Sequence, residues 1–356
     1  MKKIKCGVLG AGWWATYAHI PAIKQSPHAE LIAIQKRSRA EAQRVADHFG
    51  VPHACVTVEE LLSIPDLDAV VIASSPNQHY AQAKAALEAG KHVLIEKPMT
   101  ITAGEAQALV DIAEREKLQF LISCPWHYTR HAAQAQQMVR RGDLGKIRMI
   151  SILMTNPVSH LIRGSSTQTT HGENPLLQPR AGTYSNPAVA GGGQIYAQVS
   201  HAAAYLTFLT GETAREVFAR FHNDGAAMDI YDTLNILMSD GALVSVASTG
   251  ATGMERRDYE VRIFGTQGML FLELWRGTML HVDLDGRETA SPDLAGDDIY
   301  PQHAPVLNLI ESITDPAMNL SPASIGVAAM EIVEASCQSA ASGKVVAIDS
   351  LSRLPQ

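Results

Sequence analysis

Short apolar runs alternate with longer amphipathic ones over the first ~125 residues. IKCGVLG, AELIAIQ, DAVVIASS, HVLIEKP and FLISCPW read as strands, each a compact apolar run suited to burial on both faces of a sheet. Between several of them lie helical stretches such as AEAQRVADHFG and HYAQAKAALEAG, which end at Gly50 and Gly90, where glycine closes a helix in the left-handed conformation. Strand–helix–strand alternation of this kind predicts an α/β domain with a parallel sheet covered on both faces.

After Trp126 the pattern changes. HAAQAQQMVRRGDLG predicts one bridging helix, and MISILMT, EVFARFH, TLNILMS, ALVSVAST, YEVRIFG and GMLFLEL follow with period-two alternation and turn signals (SDGA, GTQG). These predict a mostly antiparallel sheet with one face open to solvent or a partner. A stretch rich in Ser, Thr, Gly, Pro and Asn, from Asn156 to Gly193, interrupts the sheet and is expected to serve the substrate side. Helical apolar runs return in VLNLIESI and GVAAMEIVEASCQSAASG. The division that follows is an α/β domain over 1–125 and an α+β domain over 126–356, in keeping with 356 residues at roughly 150 per domain.

Composition narrows the partners. Apolar residues make up 46% and charged residues 18%, enough for two cores. The net charge is −7 with no basic block, which argues against nucleic acid or an anionic membrane as a general partner. No apolar run approaches the ~18–20 residues of a membrane span. The opening MKKIKCGVLG runs straight into a strand rather than a signal-peptide core, so a cytoplasmic location is expected. Four scattered cysteines without C-x-x-C spacing fit reduced, buried thiols. The 14 histidines show no H-E-x-x-H and no zinc-like set, so no metal is expected.

The chemistry begins at GVLGAGWWA, where Gly10-x-Gly12-x-x-Ala15 follows a predicted strand and precedes a helix. This is the dinucleotide fingerprint in its proper context: Gly10 permits the tight turn, Gly12 lets the backbone approach a pyrophosphate, and Ala15 keeps the helix close to the sheet. Trp13 and Trp14 follow, one expected to touch cofactor or substrate and the other to pack. At the end of the second strand, where NAD enzymes place an acid ~20 residues on, AIQKRS offers Lys36 and Arg37 instead. The cationic pair puts NADP slightly ahead of NAD; a solvated pair beside a plain adenosine ribose is the competing reading.

At Glu96-Lys97-Pro98 the segment AGKHVLIEKPMT closely resembles the glucose–fructose oxidoreductase/inositol dehydrogenase/rhizopine-catabolism (Gfo/Idh/MocA) family. ASSPNQHYAQAKAALEAGKHV, GDLGKIRMI and GGGQIYAQVSHAAAYLTFLTG fit the same family, more loosely in the second half. The resemblance implies a Rossmann domain joined to an open-faced sheet that often mediates homo-oligomers (dimer, tetramer or larger). It also implies reversible hydride transfer between NAD(P) and a secondary alcohol of a sugar, glycoside or polyol. By position it makes Lys97 the active-site lysine and His201 the histidine after the triple glycine. Ser74, Ser75, Pro76, Asn77 and Glu96 become cofactor-lining positions, with His79 grouped beside them.

Those residues make physical sense. Lys97 ends a predicted strand, where open α/β sheets place ligands, and partial burial would lower its pKa for proton relay; a surface pair with Glu96 is the plain alternative. Histidine suits proton transfer because its ordinary pKa is about 6.5. Many family members carry an aspartate four residues before this histidine, and here that position is Ala197. Gln198 is the candidate neutral replacement that anchors a sugar hydroxyl. The loss leans toward glycosides or anhydrosugars, with pyranose carbon 3 a candidate for oxidation. Trp126, His127 and Tyr128 at the domain junction, and Arg163 and Tyr184 in the long loop, are further candidate substrate contacts, as are His160 and His171. Two other classes remain: an NAD-retaining glycoside hydrolase or lyase that uses transient oxidation, and a non-catalytic dinucleotide sensor.

Overall fold

The computed structural model describes residues 3–165, 176–253 and 256–348. Six parallel strands form the first sheet: β1 (Ile4–Leu9), β2 (Ala29–Gln35), β3 (His53–Cys55), β4 (Ala69–Ile72), β5 (His92–Ile95) and β6 (Phe120–Ile122). Their spatial order is β3-β2-β1-β4-β5-β6. The order reverses between β1 and β4, and open α/β sheets bind ligands outside the carboxyl ends of strands at such a switch. The five strands expected from the sequence are all present; β3, only three residues long and partly polar, gave no apolar run to read.

The connecting helices are α1 (Ile20–Gln25), α2 (Arg39–Phe49), α3 (Val58–Leu62), α4 (Pro76–Glu88) and α5 (Ala103–Arg115). Their ends follow local chemistry. Ser38 and Thr57 accept from the third backbone N–H of α2 and α3, and Thr102 with Glu105 closes a full capping box at α5. Gly50 ends α2 in the left-handed conformation at φ 62°.

The bridging helix α6 (Arg130–Arg141) leads into a nine-stranded sheet. Its strands are β7 (Ile147–Thr155), β8 (Ala214–His222), β9 (Tyr231–Met238), β10 (Leu243–Thr249), β11 (Asp258–Gly265), β12 (Gly268–Glu273), β13 (Thr278–Asp283), β14 (Glu288–Ala290) and β15 (Val346–Ala347). All neighbours are antiparallel except β7 and β10, so the expected mostly antiparallel sheet is present. Strict alternation of buried and exposed positions along β9 and β10 gives one covered face. Met149 and Leu153 on β7, Tyr231 on β9 and Leu243 on β10 stand exposed. Among its described residues the loop-rich interruption contains three single-turn helices, α7 (Ser159–Ile162), α8 (Ala181–Tyr184) and α9 (Pro187–Ala190). Helix α10 (Ser200–Thr210) follows, buried along nearly its whole length.

The chain then returns to the first sheet. Helix α11 (Ala304–Thr314) places Val306, Leu309 and Ile310 in one apolar cluster with Val8, Ile34, Leu94 and Leu121. Before α12 (Ala323–Ser342), Ser321 clips onto β6: Ile122 N–H donates to its carbonyl at 3.0 Å and its hydroxyl donates to the Ile122 carbonyl at 2.9 Å. Among the described residues no helix is long and apolar enough to cross a membrane. All four cysteines are free thiols.

Leu309 is fully buried in the α11 contact. Leu309→Ala is expected to cost about 2–5 kcal/mol, the usual range for such a truncation, and urea denaturation followed at the nucleotide-binding half checks it. An unchanged midpoint would mean that α11 does not complete that core.

Candidate active site

The site begins at the glycine turn. Gly10 has φ 76°, and a Cβ there would lie 2.5 Å from the Ser74 backbone, so only glycine lets the ends of β1 and β4 meet this closely. Gly12 differs: beyond its two chain neighbours, the one heavy atom within 4 Å of its would-be Cβ is the Gly10 carbonyl oxygen, at 3.7 Å. The protein leaves open the space a Cβ would fill, which is where the fingerprint expects a pyrophosphate. The turn therefore fits a dinucleotide, and Gly10 and Gly12 are the residues that would hold its phosphates. Ala15 is fully buried against the sheet.

Lys36 does not reach into solvent. Its ammonium donates to the Ala11 carbonyl at 3.2 Å and sits 3.5 Å from Glu41. Burial lowers its pKa, against an upward pull from Glu41. Glu41 in turn receives Arg180, which arrives from the second half of the chain and donates to both carboxylate oxygens at 2.8 Å. Arg37 is exposed. Ser74 lines the cleft and donates to Gln82, whereas Ser75 donates to the exposed Asn77 at 2.9 Å at the head of α4. His79 is buried, its Nδ1 2.9 Å from the Pro98 carbonyl and its Nε2 3.2 Å from that of Ser74. It clamps together the loops that follow β4 and β5.

A cleft of about 1310 Å³ opens at the carboxyl ends of the first sheet, under the second half of the chain. Glu96 is its organising anion. Trp14 Nε1 donates to Oε1 at 2.7 Å, His19 Nε2 lies 2.8 Å from the same oxygen, and the Lys97 N–H donates to Oε2 at 3.2 Å. Burial pushes the Glu96 carboxyl up, but the hydrogen bond and charge of His19, with Lys97 and Ser123, outweigh it and hold the group below its ordinary value. Lys97, next along, sends its ammonium across to the Ala197 carbonyl at 2.9 Å. Burial lowers the Lys97 pKa, partly opposed by Glu96 and Cys124.

Ala197 belongs to a π-turn over Ile195–Val199 that runs directly into α10. The preceding triple glycine is packed too tightly for side chains, since a Cβ on Gly193 would strike the Asp229 carbonyl. Asp229 caps the turn, accepting from Gly193 N–H at 2.9 Å and Ile195 N–H at 2.7 Å. His201 follows on the first turn of α10, lines the same cleft as Lys97, and meets the Trp126 ring edge-on at 5.2 Å. Gln198 also faces the cleft, with its amide oxygen accepting from Asn156 at 2.9 Å.

Trp13, Trp126 and Tyr184 line the cleft as the sequence suggested. Four expected substrate contacts do not. His127 is buried away from the cleft, stacked on Phe208 at 4.3 Å and bonded to Ser321 at 2.9 Å. Tyr128 donates to Asn308 at 3.3 Å, on the α11 side. Both share a 3-10 turn with Trp126, and successive residues there point to different sides. Arg163 instead pairs on the surface with Asp224 at 2.6 Å. His160 is not among the lining residues, and His171 lies outside the described residues. Sequence reasoning missed His19, Asn156, Arg257, Trp275 and Tyr300. His19 had one signal, its place five residues after Trp14 on a π-turn over Ala15–His19.

Comparison with known proteins agrees with this geometry. Residues 4–123 match the family model described as oxidoreductase family, NAD-binding Rossmann fold, and residues 132–271 match the GFO/IDH/MocA C-terminal domain. A dTDP-3,4-didehydro-2,6-dideoxy-alpha-D-glucose 3-reductase of Streptomyces antibioticus is 27% identical over 76% of this chain and 76% of its own. An uncharacterized oxidoreductase of Synechocystis is 33% identical over 57% of this chain, which spans about half that relative's length. Among solved structures, levoglucosan dehydrogenase in complex with NADH and L-sorbose has a TM-score of 0.79 at 19% identity, covering 98% of this chain and 99% of that one. An oxidoreductase domain protein from Kribbella flavida has a TM-score of 0.81 at 19% identity, covering 98% and 100%. At these identities the structures speak for the fold.

The depressed Glu96 pKa sets a pH signature. Its contribution to stability is fully present above the ordinary carboxylate value of 4.5 and is lost as pH falls through the lowered folded value. Glu96→Gln should therefore be less stable than the wild type at pH 7, and the gap should narrow as acid is added. Thermal melts of both proteins at several pH values measure it, and a gap independent of pH would contradict the assignment.

Proposed function

The chain belongs to the Gfo/Idh/MocA oxidoreductase family, and on that premise we propose that it transfers a hydride between NAD(P) and a secondary alcohol of a sugar, glycoside or polyol. The observation that carries this reading is the convergence of Lys97 and His201. The lysine reaches the carbonyl four residues before the histidine, and both line one cleft beside the glycine turn. The printed activities of relatives, among them the dTDP-sugar 3-reductase and a D-xylose 1-dehydrogenase (NADP(+)) of Haloferax volcanii, support a sugar-type substrate.

Bound in the cleft, the nicotinamide supplies the acceptor for the hydride. The protein handles the rest. Oxidation of CH–OH to C=O releases a hydride with its electron pair and one proton from oxygen. Lys97 donates a hydrogen bond to that oxygen, holding it in place and stabilising negative charge as the O–H bond breaks. His201, against the Trp126 edge, takes the proton in oxidation and returns it in reduction. Glu96 opposes the downward pull of burial on the Lys97 pKa and fixes the loop that carries it. Trp126 and Tyr184 give the sugar an apolar wall with polar edges.

Two finer statements belong to the same reading. Lys36, with Arg180 sharing Glu41, favours NADP at the adenosine end. The exposed Met149, Leu153, Tyr231 and Leu243 mark the open sheet as the surface for a homo-oligomer.

Lys97→Ala and His201→Ala should each lower turnover about 10²–10⁴-fold, as loss of an acid–base group does, with nucleotide affinity kept. A sugar, glycoside and polyol screen read as net NAD(P)H formation measures it. Product release with no net change in cofactor would replace dehydrogenation by an elimination mechanism, and nucleotide binding with no turnover, indifferent to both substitutions, would leave a sensor. Lys36→Asp should move preference from NADP toward NAD; an unchanged ratio removes that argument.

A further inference from the structure

The covered face of β9 carries one residue out of keeping with its neighbours. Asp232 alternates onto the buried side of the strand with Leu234, Ile236 and Met238, and is itself 1% exposed. Its cross-strand neighbours are Ser248 on β10 and Phe221 on β8. Ser248 accepts from the Gln194 amide at 2.8 Å. Among the described residues no hydrogen-bond donor meets either Asp232 oxygen. What its carboxyl does meet is the carboxyl of Asp229.

Asp229 has commitments of its own. Its two carboxylate oxygens take Gly193 N–H and Ile195 N–H, and its carbonyl takes Gln194 N–H at 3.0 Å. One residue thus serves three successive backbone donors at the head of the π-turn. Two carboxyls in contact cannot both be ionised without a large cost. Asp229, with an N–H on each oxygen, is the one suited to the charge. Asp232, with none, is the one suited to the proton, and a protonated carboxyl has an O–H to give. Burial, and then the charge of Asp229 and the bond to it, push the Asp232 pKa up to about 9. The other titratable groups around the pair are Cys337 and Glu334 on α12 and Tyr196 on the π-turn, and none of them brings a positive charge. Burial and the nearby carboxylates push the Cys337 thiol up to about 12 and raise the Tyr196 phenol as well.

We propose that Asp232 is a positioning residue: it keeps its proton at neutral pH, donates it in a hydrogen bond to Asp229, and so holds the cap on the π-turn that offers the Ala197 carbonyl to Lys97 and leads into His201. The two side chains act as a single anion. Ionising Asp232 sets two carboxylates against each other beneath the turn and loosens the cap on Gly193 and Ile195. The pairing is independent of the hydride-transfer reading; its effect on turnover rests on that reading.

Two substitutions test it. Asp232→Asn keeps the shape and an N–H donor but has no proton to lose, and Asp232→Ala keeps neither. The unfolded aspartate ionises near its ordinary value of 3.8, so folding takes up a proton between there and the raised value. The stability this proton contributes is whole below the ordinary value and is lost as pH rises toward the raised one. Relative to Asp232→Asn, the wild-type unfolding constant from urea titrations should therefore rise about threefold or more per pH unit between about pH 5 and about pH 8, the limit for one proton being about tenfold. At neutral pH, kcat in Asp232→Asn should stay within about threefold of the wild type, while Asp232→Ala should lose about tenfold or more with nucleotide affinity kept, as a displaced active-site turn does. A ratio of unfolding constants that ignores pH, or turnover lost equally in both variants, would overturn the inference. Should Asp232→Ala not fold, the urea comparison of wild type with Asp232→Asn still decides it. The proton linkage in a protein that oxidises no sugar, glycoside or polyol keeps this inference and removes the hydride-transfer reading; turnover without the linkage does the reverse.

Discussion

The Lys97 ammonium and the Ala197 carbonyl lie 100 residues apart in sequence and 2.9 Å apart in space. That bond couples the end of β5 to the π-turn before α10, and so joins the nucleotide-binding half to the half that carries His201. It asks a great deal of the surroundings. A buried ammonium is unfavourable without partners, and here the partners are a main-chain oxygen and the carboxylate one residue earlier. Glu96 is buried too, and stays ionised because an indole, an imidazole and a backbone N–H all point at it. The two charges thus sustain each other, and the architecture around them keeps both ends in place.

The two π-turns explain how a regular helical scaffold does this. A π-turn widens the helix by one residue and pulls backbone groups out of the usual i to i+4 ladder, which is why such turns collect at functional positions. The first, over Ala15–His19, lets Trp14 and His19 both reach one oxygen of Glu96. The second, over Ile195–Val199, contains the carbonyl that Lys97 takes. Ala197, whose side chain offers no polar group, thus contributes through its main chain.

Much of the fold was legible in the sequence. The apolar runs placed five of the six parallel strands, and period-two alternation placed β7 to β12, because burial on two faces or one leaves a direct trace in residue type. The glycine turn was legible because close approach to Ser74 excludes any other residue at Gly10. Strands β3, β14 and β15 were not, being two or three residues long, polar in part and held by their neighbours, and the six-residue β13 was not read either. In the site, Lys97, His201, Trp126 and Gln198 were found from motif and position. His127 and Tyr128 were misplaced because adjacency to Trp126 says nothing of which side a 3-10 turn presents. Arg163 was misplaced because its partner, Asp224, is 61 residues away. Arg257 stands among several arginines, and only tertiary packing distinguishes the one that turns inward.

Helix α11 has a bearing on how the molecule comes into being. The parallel sheet is translated before the second sheet, yet Val306, Leu309 and Ile310, which seal one of its faces, leave the ribosome only after β7 to β14. His303 from the same region also closes on the Ala18 carbonyl, at 2.8 Å, beside the first helix. The nascent nucleotide-binding half therefore waits, with apolar surface uncovered, until β7 to β14 have been made. Ends that are distant in time become neighbours in space, and a ribosome that stops short of α11 releases a sheet with one side bare.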